Sequence, residues 1–258
     1  MSKSTRPPNY GKPWGRDELI LAFDLYCRIP FSKATTKNPA VQEVARLLGR
    51  TPAAVSRKLG NFGSFDPALQ ERDISGLPHT GQLDREIWDV FHHDWNALVD
   101  EAEQIRQQRL GDDSPEDVLE PPQGPSEKLA SYKERLHQGF FRQAVLSAYE
   151  NRCCVTGISL PECLSANHIV PWSEAPSLRT DPTNGLCLSA TFHRLFDAGL
   201  VTIRPGFTIH VSRAVLTRCD PPTTKHVASF HEKRAMEPSR FAPAEERLNW
   251  HAEHVFQH

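Results

Sequence analysis

The sequence predicts an α+β protein in two parts, a helical N-terminal half and a C-terminal half that mixes short strands with helices. Three observations carry this expectation. Apolar residues recur at helical spacing through residues 16–110, as in Leu19, Ala22, Phe23 and Tyr26. Residues 111–126, GDDSPEDVLEPPQGPS, combine acid, Pro and Gly without any period and read as a linker. Beyond the linker, ECLSANHIV reads as a strand and LVTIRPGFTIHV as a hairpin turning at Pro205-Gly206. The expected organisation is therefore an arm over 1–15, a helical domain over 16–110, a linker over 111–126 and a second domain over 127–258.

Taken in order, residues 1–15 are polar and Pro-rich and read as a mobile arm, with Lys3, Arg6 and Lys12 available to phosphates. DELILAFDLYCRI forms the first helix, acidic near its start and stopped by Pro30. NPAVQEVARLL follows as a helix closed by Gly49. Thr51 then N-caps a further helix, with Pro52 at its first position. Helix, short turn, helix is the pattern of a helix-turn-helix unit. Residues 28–58 hold seven basic side chains against one acid, Glu43, so this stretch is locally positive. Ser56, Arg57 and Asn61 are expected to face outward toward a DNA groove, and Arg50 and Lys58 suit phosphates. After a turn-rich stretch, Asp84 is expected to cap one long helix, REIWDVFHHDWNALVDEAEQIRQQRL. On it, the adjacent His92 and His93 do not face together and read as surface residues.

Past the linker a helix resumes at Glu127, with Phe140, Phe141, Val145 and Tyr149 suited to packing. The chemistry-bearing residues follow. His193 and Asp197 stand four apart on a helix and share one face. Both are residue types that ligate divalent cations, and an i, i+4 pair offers two ligands to one ion. Asn167 and His168 are neighbours on a strand, so they need a twist or bulge to serve one site. Asn184 lies in the Pro-, Ser- and Thr-rich loop region between strand and helix. Residues 214–244 read as irregular. Lys225, His226, His231, Lys233 and Arg234 are expected to bring positive charge near the site, and AEERLNWHAEHVF forms a last helix with Leu248, His251 and Val255 on one side.

The phrases NHIVPW, NGLCL and FHRLFDAGL, in that order after a VTG turn at Val155–Gly157, resemble the HNH nucleases. The resemblance covers roughly the last two-fifths of the chain. It implies a ββα-metal fold, with His168 as the general base, Asn184 bracing the loop that orients it, and His193 and Asp197 as metal ligands. Asn167 stands where many members carry Asp or His. It either ligates through its carbonyl or stands outside the ligand set. The implied cofactor is a divalent ion, Mg²⁺ or Mn²⁺ first, with Zn²⁺ or Ni²⁺ open because of the histidine. The implied partner is double-stranded DNA, with a homodimer called for by double-strand cutting, and the implied setting is bacterial restriction or phage defence. Two rivals stand beside this reading. One is a degenerate HNH unit in a DNA-binding regulator, favoured by Asn167 and opposed by the intact His168, Asn184 and His193 spacing. The other is an RNA nuclease.

Composition narrows the rest. A net charge of −2 excludes a blanket polycation, so DNA contact must come from local patches. No apolar run approaches the ~20 residues that span a bilayer, and no signal peptide is read, so a cytoplasmic protein without membrane partners is expected. The six cysteines form no CxxC pair. They read as reduced, buried small hydrophobes, with a zinc on Cys154, Cys163, Cys187 and a histidine as the alternative.

Overall fold

The computed structural model describes residues 6–74, 80–110, 126–218 and 220–257. The expected linker thus lies outside the described residues except at Ser126. The chain divides into two compact units, residues 1–140 and 141–258. The sequence expectation drew the division at 111–126. The difference arises because Tyr132 binds Glu103, and both Lys133 and His137 bind Asp100, so this stretch joins the first unit.

The first unit is all helix among its described residues: α1 (Arg16–Arg28), α2 (Pro39–Leu47), α3 (Pro52–Gly63), α4 (Pro67–Gln70), α5 (Gln82–Phe91), α6 (Trp95–Leu110) and the start of α7 (Ser126–Ala148). Its centre is α1. The sequence shows a stripe of four apolar residues there, but every residue from Glu18 to Cys27 is buried. A helix enclosed on all sides must neutralise its charges internally. Asp24 pairs with Arg28 and Arg106, and Glu18 pairs with Arg50. Phe23 packs against Phe62 and Trp88, at 5.0 and 5.3 Å between ring centres.

The expected long helix over 85–110 is two helices. Asp94 accepts from the Ala97 N–H at 3.0 Å and caps α6, breaking the run at His92–Asp94. On either side of the break, Trp88 and Trp95 both pack against Phe23. Nor is Asp84 the cap of α5. Gly81 holds that position and Asp84 reaches back to its N–H at 3.0 Å. The arm is also corrected from Asn9 onward. Asn9 bonds to the Gly49 and Leu48 carbonyls, and Arg50 holds the carbonyls of Asn9, Lys12 and Pro13.

The second unit starts with the last turns of α7. Then come β1 (Leu164–His168) and β2 (Gly185–Ser189), α8 (Ala190–Asp197), the hairpin β3 (Val201–Arg204) and β4 (Thr208–Val211), α9 (Arg213–Arg218), α10 (Pro221–Ala228) and α11 (Glu245–His254). β1 pairs antiparallel with β2, with His168 opposite Gly185 and Asn167 opposite Leu186. β3 and β4 form a separate antiparallel pair. Two small sheets among helices make the protein α+β. α9 and α10 occupy ground expected to be irregular. Asp220 caps α10 through the Thr223 N–H at 3.1 Å, and Pro221 suits its first turn. No described helix is long and apolar enough to cross a membrane.

Candidate active site

β1, β2 and α8 follow one another as strand, strand and helix, and their pairing decides which side chains meet. Ser165 and Asn167 are two apart on β1 and share the face toward α8. On α8, the buried Phe192 and Phe196 anchor the helix to the unit. That places His193 and Asp197, each one residue further round, beside the strand. His193 Nε2 stands 2.9 Å from Asp197 Oδ2. Asn167 Nδ2 lies 3.0 Å from Asp197 Oδ1. The three predicted ligands therefore converge.

α8 ends in a Schellman motif. Gly199 N–H bonds to the Phe196 carbonyl at 2.9 Å and Leu200 N–H to that of Leu195 at 2.8 Å. Gly199 takes φ +66°, and a Cβ there would sit 2.0 Å from the Val255 carbonyl oxygen. The helix end is thus closed by backbone and by glycine. Asp197 is not needed for closure, and an acid in a last turn opposes the helix dipole. Its carboxylate is 54% exposed.

His168 lies on the other face of β1, as strand alternation requires, yet it lines the same cleft. The cleft has a volume of about 350 Å³ and is bordered by Asn167, His168, Trp172, His193, Asp197 and His251. Two contacts fix the His168 ring. It stacks on Phe141 with ring centres 3.8 Å apart and planes within 5°. Its Nε2 meets the Arg179 carbonyl at 3.0 Å. A carbonyl only accepts, so Nε2 carries the proton and Nδ1 keeps a lone pair. Burial is the largest influence on the imidazole and favours its neutral form. The Arg179 carbonyl opposes this, the Arg179 charge adds to it, and Asp197 opposes it. The net result is a pKa below the ordinary histidine value.

Asn184 is fully buried and touches no ligand. Its Oδ1 accepts from the Val170 N–H at 3.0 Å, its Nδ2 donates to the Val170 carbonyl at 2.9 Å, and its own carbonyl accepts from Ile169 N–H. It clamps the backbone leaving His168. Gly185 beside it is extended at φ −125° and is no turn residue. It leaves room for α7: a Cβ there would lie 2.2 Å from Val145 Cγ2 and 3.1 Å from the Phe141 ring.

Two participants escaped the sequence reading. Ser165 Oγ lies 2.8 Å from His193 Nδ1. For His193 Nε2 to offer a lone pair, Nδ1 must donate to that hydroxyl. The signal was the i, i+2 spacing of Ser165 and Asn167. His251 stacks on Phe196 at 3.6 Å, faces the Phe196 carbonyl at 3.1 Å through Nε2, and meets Thr202 Oγ1 through Nδ1 at 2.8 Å. Burial lowers its pKa to about 4. It supports the last turn of α8 from below.

Among described residues, no cluster of three His, Cys, Asp or Glu side chains is placed to hold a metal. The donors at this site are instead two such residues and an amide. Two cis ligands at ~2.1 Å from one octahedral ion are ~3.0 Å apart. The 2.9 Å between His193 Nε2 and Asp197 Oδ2 matches that spacing. The Asn167 carbonyl joins them if its amide is turned over, an assignment that hydrogen-bond networks decide. The residues therefore fit a divalent ion. Cys153, Cys154 and Cys187 are buried while Cys163 is exposed, and burial pushes the Cys154 and Cys187 thiols up, the latter to about 12. They pack as neutral hydrophobes.

In the first unit, the residues expected at DNA are mostly engaged internally. Arg50 is 5% exposed, with two bonds to Glu18 at 2.8 Å, three to carbonyls, and Trp14 against its guanidinium. Burial alone would raise the Glu18 carboxyl, but Arg50 and the Gly15 N–H hold it below the usual value. Lys58 bonds to both oxygens of Asp84 at 2.8 and 2.9 Å. Asn61 is buried against Asp84 at 3.3 Å, and Ser56 Oγ donates to the Ala34 carbonyl. The outward placement expected of Asn61 and the phosphate-facing placement expected of Arg50 and Lys58 are therefore corrected. Arg57 remains exposed on α3, as do Lys33, Lys37 and Arg46 nearby.

Residues 153–204 match a family model described as HNH endonuclease. No curated protein matches the chain. The match starts at Cys153 and ends with β3, so it takes in β1, β2 and α8 whole, and the second unit carries an HNH domain.

Proposed function

We propose that this HNH domain is a metal-dependent endonuclease that hydrolyses phosphodiester bonds in double-stranded DNA, in the setting of restriction or phage defence. The observation that supports it is the shared cleft. A neutral imidazole with its lone pair on Nδ1 borders the same space as the His193–Asp197 pair.

Each side chain has a task in this reading. His168 Nδ1 accepts a proton from water as the water oxygen forms its bond to phosphorus and the bond to the 3′ oxygen breaks. Arg179, through its carbonyl, and Phe141, through its ring, hold that imidazole in the required tautomer and plane. Asn184 fixes the backbone behind it. His193 and Asp197 hold the divalent ion, with Asn167 as the third donor. Bound there, the ion supplies charge neutralisation at the phosphate and at the departing oxygen. Ser165 keeps the His193 lone pair on Nε2. One such site cuts one strand, so a double-strand break calls for two copies of the chain. Duplex contact from the first unit falls to Arg57 and the exposed Lys33, Lys37 and Arg46 rather than to Arg50 or Lys58.

The test is cleavage of supercoiled plasmid with Mg²⁺, Mn²⁺, Zn²⁺ or Ni²⁺, comparing the chain with His168→Ala. The reading expects nicked or linear product, lowered by roughly 10²- to 10⁴-fold in the variant. No cleavage with Mg²⁺, Mn²⁺, Zn²⁺ or Ni²⁺ leaves the regulator reading in its place, and preferential cutting of RNA leaves the RNA nuclease.

A further inference from the structure

A second cleft in the HNH-bearing unit has no part in the chemistry above. It encloses about 520 Å³ and is lined by Arg204, His210, Ser212, Arg213, His231 and Phe256. The two arginines, the two histidines and Ser212 carry polar side chains, beside the apolar Val211 and Phe256. Arg204 ends β3, and its Nε is buried with no hydrogen-bond partner among the described residues. A buried guanidinium N–H without an acceptor is costly, and such atoms in native folds call for an explanation. Arg213 is exposed at the start of α9. His231 Nδ1 accepts from the Val211 N–H at 3.1 Å, which leaves the ring proton on Nε2 as a donor. His210 meets the His231 ring edge-on at 5.7 Å. Burial, then the Arg204 charge, then His231 lower the His210 pKa, as positive charge gathered in one place does. The acid nearby is Glu232, which is mostly exposed and stands 4.0 Å from His231 Nε2.

The cleft also has a fixed relation to the active site. Val255 borders the catalytic cleft and Phe256, the next residue, borders this one. The segment that separates them is held down, since Phe256 N–H bonds to the His251 carbonyl at 3.0 Å and Gln257 N–H to that of Gly199 at 2.9 Å. The two clefts thus border consecutive residues of one anchored segment.

We infer that the Arg204–Arg213 cleft is a second phosphate site, which takes a backbone phosphate flanking the one at His168. The inference rests on the nuclease reading for its ligand. Arg204 and Arg213 supply fixed positive charge, and the His231 Nε2–H supplies a neutral donor. The Arg204 guanidinium lines the cleft and so meets the ligand's non-bridging oxygens. The site positions the strand and takes no part in bond breaking.

The test is binding of a fluorescent duplex to full-length protein carrying His168→Ala, titrated between about 50 and 200 mM salt. Adding Arg213→Glu or Arg204→Gln is expected to weaken binding roughly tenfold and to lower the log–log salt slope by about 1. The inference is overturned if both variants melt with the parent and keep its affinity and slope, or if the parent binds no duplex. Should Arg204→Gln fail to fold, the exposed Arg213 decides alone. Hydrolysis of bis(4-nitrophenyl) phosphate by the unsubstituted chain reads the nuclease reading separately, because that substrate is too small to span two clefts. Hydrolysis together with unaltered DNA binding by the variants removes only the second site. Weakened binding without hydrolysis keeps the phosphate site and removes the nuclease.

Discussion

Gly185→Ala should unsettle the proposed general base, His168, without touching it. The added Cβ would lie 2.2 Å from Val145 Cγ2, where carbon atoms rest near 3.5–4.0 Å, and 3.1 Å from Phe141 Cζ. The overlap with Val145 is therefore ~1.5 Å. Val145 cannot swing aside, because it is fully buried on α7 and a β-branched side chain in a helix has one strongly preferred rotamer. The strain passes to the α7–β2 packing, at a cost of about 1–3 kcal/mol. Phe141 is displaced with it, and Phe141 is the plate on which the His168 ring lies. A double-mutant cycle with Val145→Ala tests this. Alone, Val145→Ala leaves a cavity and destabilises. Combined with Gly185→Ala, the new methyl fills that space, so the pair should be more stable than the sum of the two, by about 1 kcal/mol or more. Urea denaturation gives the four free energies, and plasmid cleavage by each variant reports on His168. Strict additivity, or Gly185→Ala as stable as the parent, would refute the packing argument.

Three further outcomes follow from the same geometry. Arg50→Ala should lower stability by about 3–5 kcal/mol in denaturant titration, because it strands the buried Glu18 carboxylate. His193→Ala should abolish Mn²⁺ binding measured by calorimetry in the absence of DNA, while the melting temperature changes little, since His193 is one-third exposed. His251 has a folded pKa depressed to about 4 against an ordinary value near 6.5. Between those values the unfolded chain takes up a proton that the folded chain refuses. His251 therefore causes stability to fall by about 3 kcal/mol as pH drops through that window. His251→Gln should remove that part of the slope in stability measured from pH 7 to 4.

The placement of the candidate residues was legible in the sequence where one local period governs it. His193 and Asp197 share a face because α8 is regular, and the Asn–His dipeptide sits on a strand because β1 is. The closure of α8 at Gly199 was legible for the same reason. What the sequence concealed depends on partners distant along the chain. Arg50, Lys58 and Asn61 look like an outward basic face when α2 and α3 are read alone. Only the return of Glu18 and Asp84 from other helices shows that they are internal bonds. The break at Asp94 was hidden because an apolar stripe runs through both α5 and α6. A capping Asp competes there with the helix it interrupts, and the apolar period alone does not show which prevails. Ser165 was hidden because a hydroxyl on a strand is unremarkable until a histidine stands 2.8 Å away.

The matched segment, residues 153–204, also does not hold its own site in place. The imidazole of His168 is flat against Phe141, which precedes the segment on α7. The last turn of α8 rests on His251, which follows it on α11 and bonds to the Phe196 carbonyl next to Asp197. The proposed base is thus buttressed from the N-terminal side and a proposed metal ligand from the C-terminal side, each by an aromatic stack under 4 Å. Both buttresses belong to the compact unit of residues 141–258. In the nuclease reading, strand, strand and helix supply the reacting groups, and the flanking helices supply the rigidity that would keep them within reach of one phosphate. Loss of either flank should therefore weaken catalysis more than it weakens the ββα core itself.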